Sequence, residues 1–380
     1  MAAIYSTPSE WSNSLITVTS VGCPIKVIER PRAELSATDF AVGPNGRPGY
    51  VHPVIRLLQR LLFERLGSAL VTVIGSVSLV FLALRLAPGD PADNILGDDA
   101  PEVAKEAFRQ RLGLDRPLSQ QYGDFLSALS RGDFGDSYGI TDRPVPVASL
   151  LADALPATVE LAGAAMLVAV LIAVPFGTWA AARQHGPVDL ATLAFAMLGA
   201  AVPVFWSGPV VLYVGTVVLG LFPGPTAPLI GLKPLVLPAL VLGAALAAKL
   251  LRTVRASVLE ALRQDYVLAA RARGLGGARV LLVHVLGNAW IPILTVMGLQ
   301  LAGLLSGAIV TEKVFARPGL GSLLLEGIAR RDYAVVQGCV VAVTLAYVLV
   351  NLLIDAAYVL VDPRLRRGSD QGARAPEPLT

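Results

Sequence analysis

Between Arg263 and Pro292 the chain reads RQDYVLAARARGLGGARVLLVHVLGNAWIP, a basic, small-residue-rich stretch set between the strongly apolar segments 235–251 and 290–310. Residues 265–273 contain neither proline nor glycine and are rich in helix formers. A short helix is predicted there, ended by Gly274, Gly276 and Gly277. On it Tyr266, Ala269, Ala270 and Arg273 stand at i, i+3, i+4 and i+7, so one face carries an aromatic ring, two small residues and a cation. Such a face can be laid into a groove on another protein. A solvated loop that happens to be helical is the plain alternative.

The rest of the chain is a membrane protein by composition. Of its 380 residues 54% are apolar and 16% charged, where soluble domains carry roughly a quarter charged residues. The net charge of +3 is too small to argue for nucleic acid. Cys23 and Cys339 cannot build a disulfide framework, and His52, His185 and His284 lack metal-ligand spacing. The chain has no GxxxxGK[ST] phosphate cradle and no recognisable Ser/His/Asp set, so nothing supports an enzyme.

Six apolar spans are expected, at about 66–87, 156–182, 189–221, 235–256, 289–310 and 334–360. Pro203 and Pro209 predict a kink in the third, and Gly303 with Gly307 suits the fifth to close packing. Arg252, Arg255, Arg263, Arg271, Arg273 and Arg279 face only Glu260 and Asp265, which puts 252–288 in the cytoplasm. Asp90, Asp93, Asp98, Asp99, Glu102 and Glu106 mark 92–153 as an outer region, with a helix over Glu102–Leu114. An all-α polytopic fold with both termini cytoplasmic follows. Its membrane domain covers 55–367, with an outer insert at about 88–153, a cytoplasmic loop at about 257–288 and an outer loop at about 311–333. Residues 1–54 and 368–380 read as a disordered extension and tail.

Ala269-Ala270, Gly274 four residues beyond, and the apolar run to Ile291-Pro292 resemble the EAA loop of ABC importer permeases. The fuller string through Tyr266-Val267, Ala270–Leu275, Val280-Leu281, His284–Leu286, Asn288-Ala289 and Pro292 is similar to the B-type permease of the dipeptide/oligopeptide/nickel branch. The glutamate that names the loop is Leu268 here. Leu86–Pro91 (LAPGDP), Gly132–Ser137, Ala157–Leu161 (ATVEL), Glu312–Tyr333 and Asn351–Arg366 carry the resemblance over roughly 54–367, with Ala334 replacing a usual proline.

The resemblance implies a type I ABC importer fold paired with a homologous second permease in a heterodimer. Two ATPase subunits below would hold the ATP and Mg2+, a binding protein would dock outside, and this chain would carry no cofactor. It implies that Asp265, Tyr266, Ala269, Ala270, Arg271, Ala272, Arg273, Gly274 and Leu275 form the ATPase-coupling contact. Glu312, Phe315, Pro318, Gly319, Gly321, Arg330, Arg331, Asp332 and Tyr333 would face the binding protein or form an outer gate; a packing segment is the alternative. Di- or oligopeptides are the expected cargo, with nickel complexes, glutathione or another small solute as alternatives, and a lone ion-gradient carrier as a remote one. Glu160 and Asp355 are costly charges within spans. Each lies within about two turns of a span end, where the cost falls, so helix anchoring or pairing is expected.

Overall fold

The computed structural model describes residues 53–361 apart from 88, 98, 141–142 and 225–232. The expected disordered tail 368–380 and residues 1–52 of the expected extension lie outside the described residues. The first helix, α1, runs Pro53–Leu86 and so takes in the last two residues of that extension.

Three short helices follow: α2 (Pro91–Leu96), α3 (Glu102–Arg111) and α4 (Leu118–Ser130). Asp90 caps α2 by accepting from the Ala92 N–H at 2.8 Å, with Pro91 at the position where a missing N–H costs nothing. Three acids of this insert are paired: Asp93 with Lys105 at 3.0 Å, and Asp90 and Glu106 both with Arg109. Those two hydrogen bonds raise the Arg109 pKa. A two-residue ribbon, β1 (Asp136–Ser137) antiparallel to β2 (Val145–Pro146), pairs Ser137 with Val145. Helix α5 then starts at Val147, several residues before the insert was expected to end.

The remaining helices are α5 (Val147–Ala182), α6 (Pro187–Ala201), α7 (Val204–Tyr213), α8 (Lys233–Leu262), α9 (Asp265–Ala272), α10 (Gly277–Arg279), α11 (Leu286–Gly307), α12 (Ile309–Val314), α13 (Leu320–Ala329) and α14 (Tyr333–Val361). Wide π-type turns extend α7 over Val214–Val218 and join α10 to α11 over Val280–Val285. Five stretches are long and apolar enough to cross a membrane: Gly67–Leu86, Val147–Ala182, Lys233–Leu262, Gly277–Leu304 and Tyr333–Tyr358.

The expected third span is not one kinked helix. It is two half-length helices, α6 and α7, meeting at 102°. Val202 is extended before Pro203, whose ring disfavours a helical residue ahead of it, and the helix restarts beyond the proline. Together the two still carry the chain from one end of the bundle to the other. Asp189 at the start of α6 binds Arg255 near the end of α8, Gly199 lies against Ala248, and Gly208 lies against Val314 and Phe315. The described residues thus hold five unbroken spans, and six crossings when the sharply bent pair is counted as one.

The axis of the bundle is the parallel pair α5 and α8. Alanines 162, 165, 169, 173 and 181 of α5 and 239, 247 and 261 of α8 are buried in the apolar clusters that join the two helices. Small residues let backbones approach where lipid supplies no hydrophobic drive between helices. The approach is closest at two glycines. A Cβ on Gly243 would stand 2.7 Å from Val168 and 2.8 Å from the Ala165 carbonyl, and one on Gly177 would stand 2.9 Å from Val254. Gly243→Leu is expected to destabilise by about 1–3 kcal/mol, because a backbone carbonyl cannot yield. Gly163→Ala, with nothing within 4 Å of its Cβ, is expected to be neutral or stabilising. Thermal unfolding of both variants in detergent checks the pair. On α11 the tight approach falls on Gly298, where a Cβ would meet Ile354 at 2.3 Å; one on Gly303 would meet nothing within 4 Å.

Contacts along this axis define two ends. At one, Val254, Val258 and Ala181 surround α9; at the other, Thr158 and Leu237 meet the α12–α13 hairpin. Helix α14 descends from the hairpin end, where Val335 joins Val147, to the α9 end, where Tyr358 Oη hydrogen-bonds Thr295 Oγ1 at 2.7 Å.

Candidate functional site

Helix α9 is an eight-residue segment with an anchored face and an open face. Gln264 is extended and breaks the chain away from α8; Asp265 in the first turn and Arg271 in the last suit the helix dipole. Its C-terminus is closed by two reverse bonds, Gly274 N–H to the Arg271 carbonyl at 2.9 Å and Leu275 N–H to the Ala270 carbonyl at 3.3 Å. That pattern needs a left-handed residue, and Gly274 supplies it at φ +77°.

Val267 and Ala270 are fully buried, packed with Val254, Val258, Ala261, Val280 and Val285. Ala270 therefore leaves the face on which the helical spacing put it. Its smallness serves the fit of α9 onto the Val280–Val285 turns, because the i, i+3 pair Val267–Ala270 turns inward. Asp265, Tyr266, Ala269, Arg271, Ala272, Arg273 and Gly274 are exposed, as is Leu268 at 63%, and Leu275 is half-buried beneath them. An exposed leucine, tyrosine and alanine flanked by two arginines make an apolar strip with cationic edges. Gly274→Val meets no neighbour but must adopt the left-handed conformation, at a cost of about 1–2 kcal/mol. It is expected to speed amide hydrogen exchange across 265–275 while leaving the α5–α8 core protected.

The other end of the bundle holds a buried carboxylate. Glu312, 0% exposed, accepts from Thr158 Oγ1 at 2.6 Å and from the Gly321 and Ser322 N–H groups at 2.8 and 3.0 Å. Thr158 in turn accepts from the Leu320 N–H at 2.8 Å. The first three orphan donors of α13 are thus satisfied by two side chains, one of them from α5. A Cβ on Gly319 would stand 2.2 Å from the Glu312 carboxyl carbon, and one on Gly321 would stand 2.6 Å from Ile309. The two glycines make room for this cap. Arg317, also buried, reaches Glu160 at 3.3 Å, an ion pair between α5 and the hairpin. Asp355 is half-buried on α14.

A second buried carboxylate fastens the insert. Asp332 Oδ2 accepts from Ser137 Oγ at 2.8 Å and from the Tyr138 and Gly139 N–H groups at 3.0 and 2.9 Å; Oδ1 accepts from the Val335 N–H at 3.2 Å and caps α14. Arg330 donates to the Gly139 carbonyl at 2.7 Å, and Arg331 (φ +54°) lies against Gly89. Tyr333 faces the Arg85 guanidinium.

Most of the residues expected to meet a binding protein therefore point inward. Glu312, Phe315, Gly319, Gly321 and Asp332 are buried in the hairpin and its junctions, Arg331 and Tyr333 are half-buried, and Pro318 and Arg330 are exposed. Their physical work is capping. Sequence reasoning missed Thr158, Arg317 and the ion pair of Asp189 with Arg255 (2.5 Å). The only signal for the last was a carboxylate next to the Arg183–Gly186 turn, beside an apolar run.

Residues 173–367 match the family described as "Binding-protein-dependent transport system inner membrane component", and 58–162 match the N-terminal component of such systems. The di/tripeptide transport system permease protein DppB of Pseudomonas aeruginosa is 39% identical over 331 residues, covering 80% of this chain and 97% of that one. The probable peptide ABC transporter permease y4tP of Sinorhizobium fredii is 39% identical over 311 residues, covering 80% and 98%. The dipeptide transport system permease DppB of Escherichia coli K12 is 35% identical over 337 residues, covering 81% and 98%. The chain therefore belongs to the binding-protein-dependent transport system inner membrane component family and is a multi-pass protein of the inner membrane.

Proposed function

We propose that this chain is the permease subunit of an ATP-driven importer of di- and oligopeptides, forming half of the path beside a homologous second permease. The observation that carries the coupling role is α9: a short helix rooted by Val267 and Ala270 in the buried cluster that also takes in Val280 and Val285, with Tyr266, Leu268, Ala269, Arg271 and Arg273 left open. A partner ATPase would seat that strip and meet the arginines with carboxylates or carbonyls. Movement of the ATPases would then reach α11 and α8 through the Val280–Val285 turns, against which α9 packs. The ATP and Mg2+ belong to those partners. The α9 end is cytoplasmic in this reading, and the α12–α13 hairpin and insert face the binding protein, with Pro318 and Arg330 as its exposed contacts. The peptide cargo rests on the names of the relatives.

The test is affinity isolation of the tagged chain in mild detergent, followed by mass spectrometry, an ATPase assay and uptake in vesicles. A second permease, Walker-motif ATPases and ATP-dependent uptake of labelled dipeptide are expected. Uptake of a nickel complex or glutathione instead would keep the architecture and change the cargo. Recovery of the chain alone with no ATPase activity would overturn the coupling role and favour a gradient-driven carrier.

A further inference from the structure

A groove of about 500 Å³ lies between α5 and α6, floored by α8. Ile172, Phe176 and Trp179 line one side, Val188 and Phe195 the other, and Leu251 the floor. Residues 172, 176 and 179 are spaced four and three apart, so they stack on one face of α5, and Arg183 is the next position on that face. Arg183 ends the helix, and its guanidinium lies over the Trp179 ring at 5.8 Å, within cation–π range. The groove therefore has a direction. From Ile172 to Trp179 it is apolar for about 10 Å, and it then passes through an indole to a cation.

These groups can be reached from outside the chain. Phe176 and Trp179 are 47% and 45% exposed, and Arg183 is exposed. The carboxylate that follows Arg183 along the chain does not neutralise it, because Asp189 is buried and taken up by Arg255 at 2.8 Å and the His185 N–H at 3.0 Å. Helix α5 and the α6–α7 pair are long and apolar enough to cross a membrane, so the groove meets either lipid or another membrane helix. Charge separates the two. An apolar helix would cover the aromatic walls and leave Arg183 without a counter-charge, whereas an anionic phospholipid matches both parts of the groove. Tryptophan at the junction marks the depth at which headgroups begin. We propose that the α5–α6 groove is a binding site for one anionic phospholipid, its acyl chain against Phe176 and Phe195 and its phosphate on Arg183. The leaflet is the one at the α9 end, which is the inner leaflet in the proposed orientation of the chain. One arginine at such a surface corresponds to a preference of about fivefold for anionic lipid.

The experiment is quenching of Trp179 fluorescence in the full chain carrying Trp11→Phe, Trp206→Phe and Trp290→Phe, reconstituted in nanodiscs. Phosphatidylglycerol and phosphatidylcholine, each brominated on the acyl chain, are compared at equal content. Both are expected to quench, with phosphatidylglycerol preferred about fivefold. Arg183→Gln should bring the two lipids level, and a chain retaining Trp206 alone should not respond to that substitution. Native mass spectrometry of the otherwise unaltered chain, isolated with any partners it holds, gives a second reading that needs no tryptophan replacement. Phosphatidylglycerol should be retained over phosphatidylcholine and released by Arg183→Gln. Equal quenching by the two lipids, or a preference that survives Arg183→Gln, would overturn the proposal. So would quenching by neither lipid, the result of a protein helix lying over the groove. Lipid contact is read without transport, so failure here leaves the coupling role of α9 untouched, and failure of that role leaves this site testable.

Discussion

Glu312→Ala is expected to destabilise the membrane domain by about 3–5 kcal/mol, the largest single-residue effect in the chain. The substitution removes a wholly buried carboxylate that takes three hydrogen bonds. It leaves two helix N–H groups and the Thr158 hydroxyl inside with nothing to bind. Each orphaned donor costs about 1–3 kcal/mol, and a charged acceptor at a helix N-terminus is among the stronger partners. Glu312→Gln keeps the shape but turns an NH2 toward a site built for acceptors, so about half the loss is expected to remain. Thermal unfolding in detergent gives the measure. A change of only a few tenths of a kcal/mol in Glu312→Ala would mean that the hairpin is held by something else.

The second large effect is functional. Arg271→Glu with Arg273→Glu is expected to leave thermal stability within about 0.5 kcal/mol of the parent, because both side chains are exposed. ATP-driven uptake should nonetheless fall on the order of 30-fold or more, since like charges brought together at an interface cost several kcal/mol. The decisive reading is the pair of numbers together, uptake against ATP hydrolysis in reconstituted vesicles. Persisting hydrolysis with uptake lost is the expected outcome. Normal uptake would remove α9 from the coupling role.

Much of this fold is legible in the sequence, because bilayer length and apolar runs are one-dimensional properties. The long apolar spans, the break at Pro203 and the short helix closed by Gly274 all follow from local composition. The 102° angle does not, since Pro203 says that the helix is interrupted and only packing against Ala248 and Val314 sets the direction. The candidate site divides the same way. Helical spacing groups Tyr266, Ala269, Ala270 and Arg273, but which side of α9 turns into the core depends on its packing against the Val280–Val285 turns, and that packing takes Ala270 inward. Motif residues such as Glu312 and Asp332 stand out as charged in an apolar setting. Their partners Thr158 and Ser137 lie 154 and 195 positions away, and nothing local announces them.

The parallel pair α5 and α8 behaves mechanically as a strut. Gly177 seats Val254 and Gly243 seats Val168, so two notches one above the other prevent the helices from sliding along each other. A load applied at the Val254–Val258 end of the pair would then be carried along it toward Thr158 and the hairpin it holds. The elbow at Pro203 is built differently, since the extended Val202 interrupts the backbone bonding that stiffens the neighbouring helices. The molecule sets a notched column beside an interrupted helix.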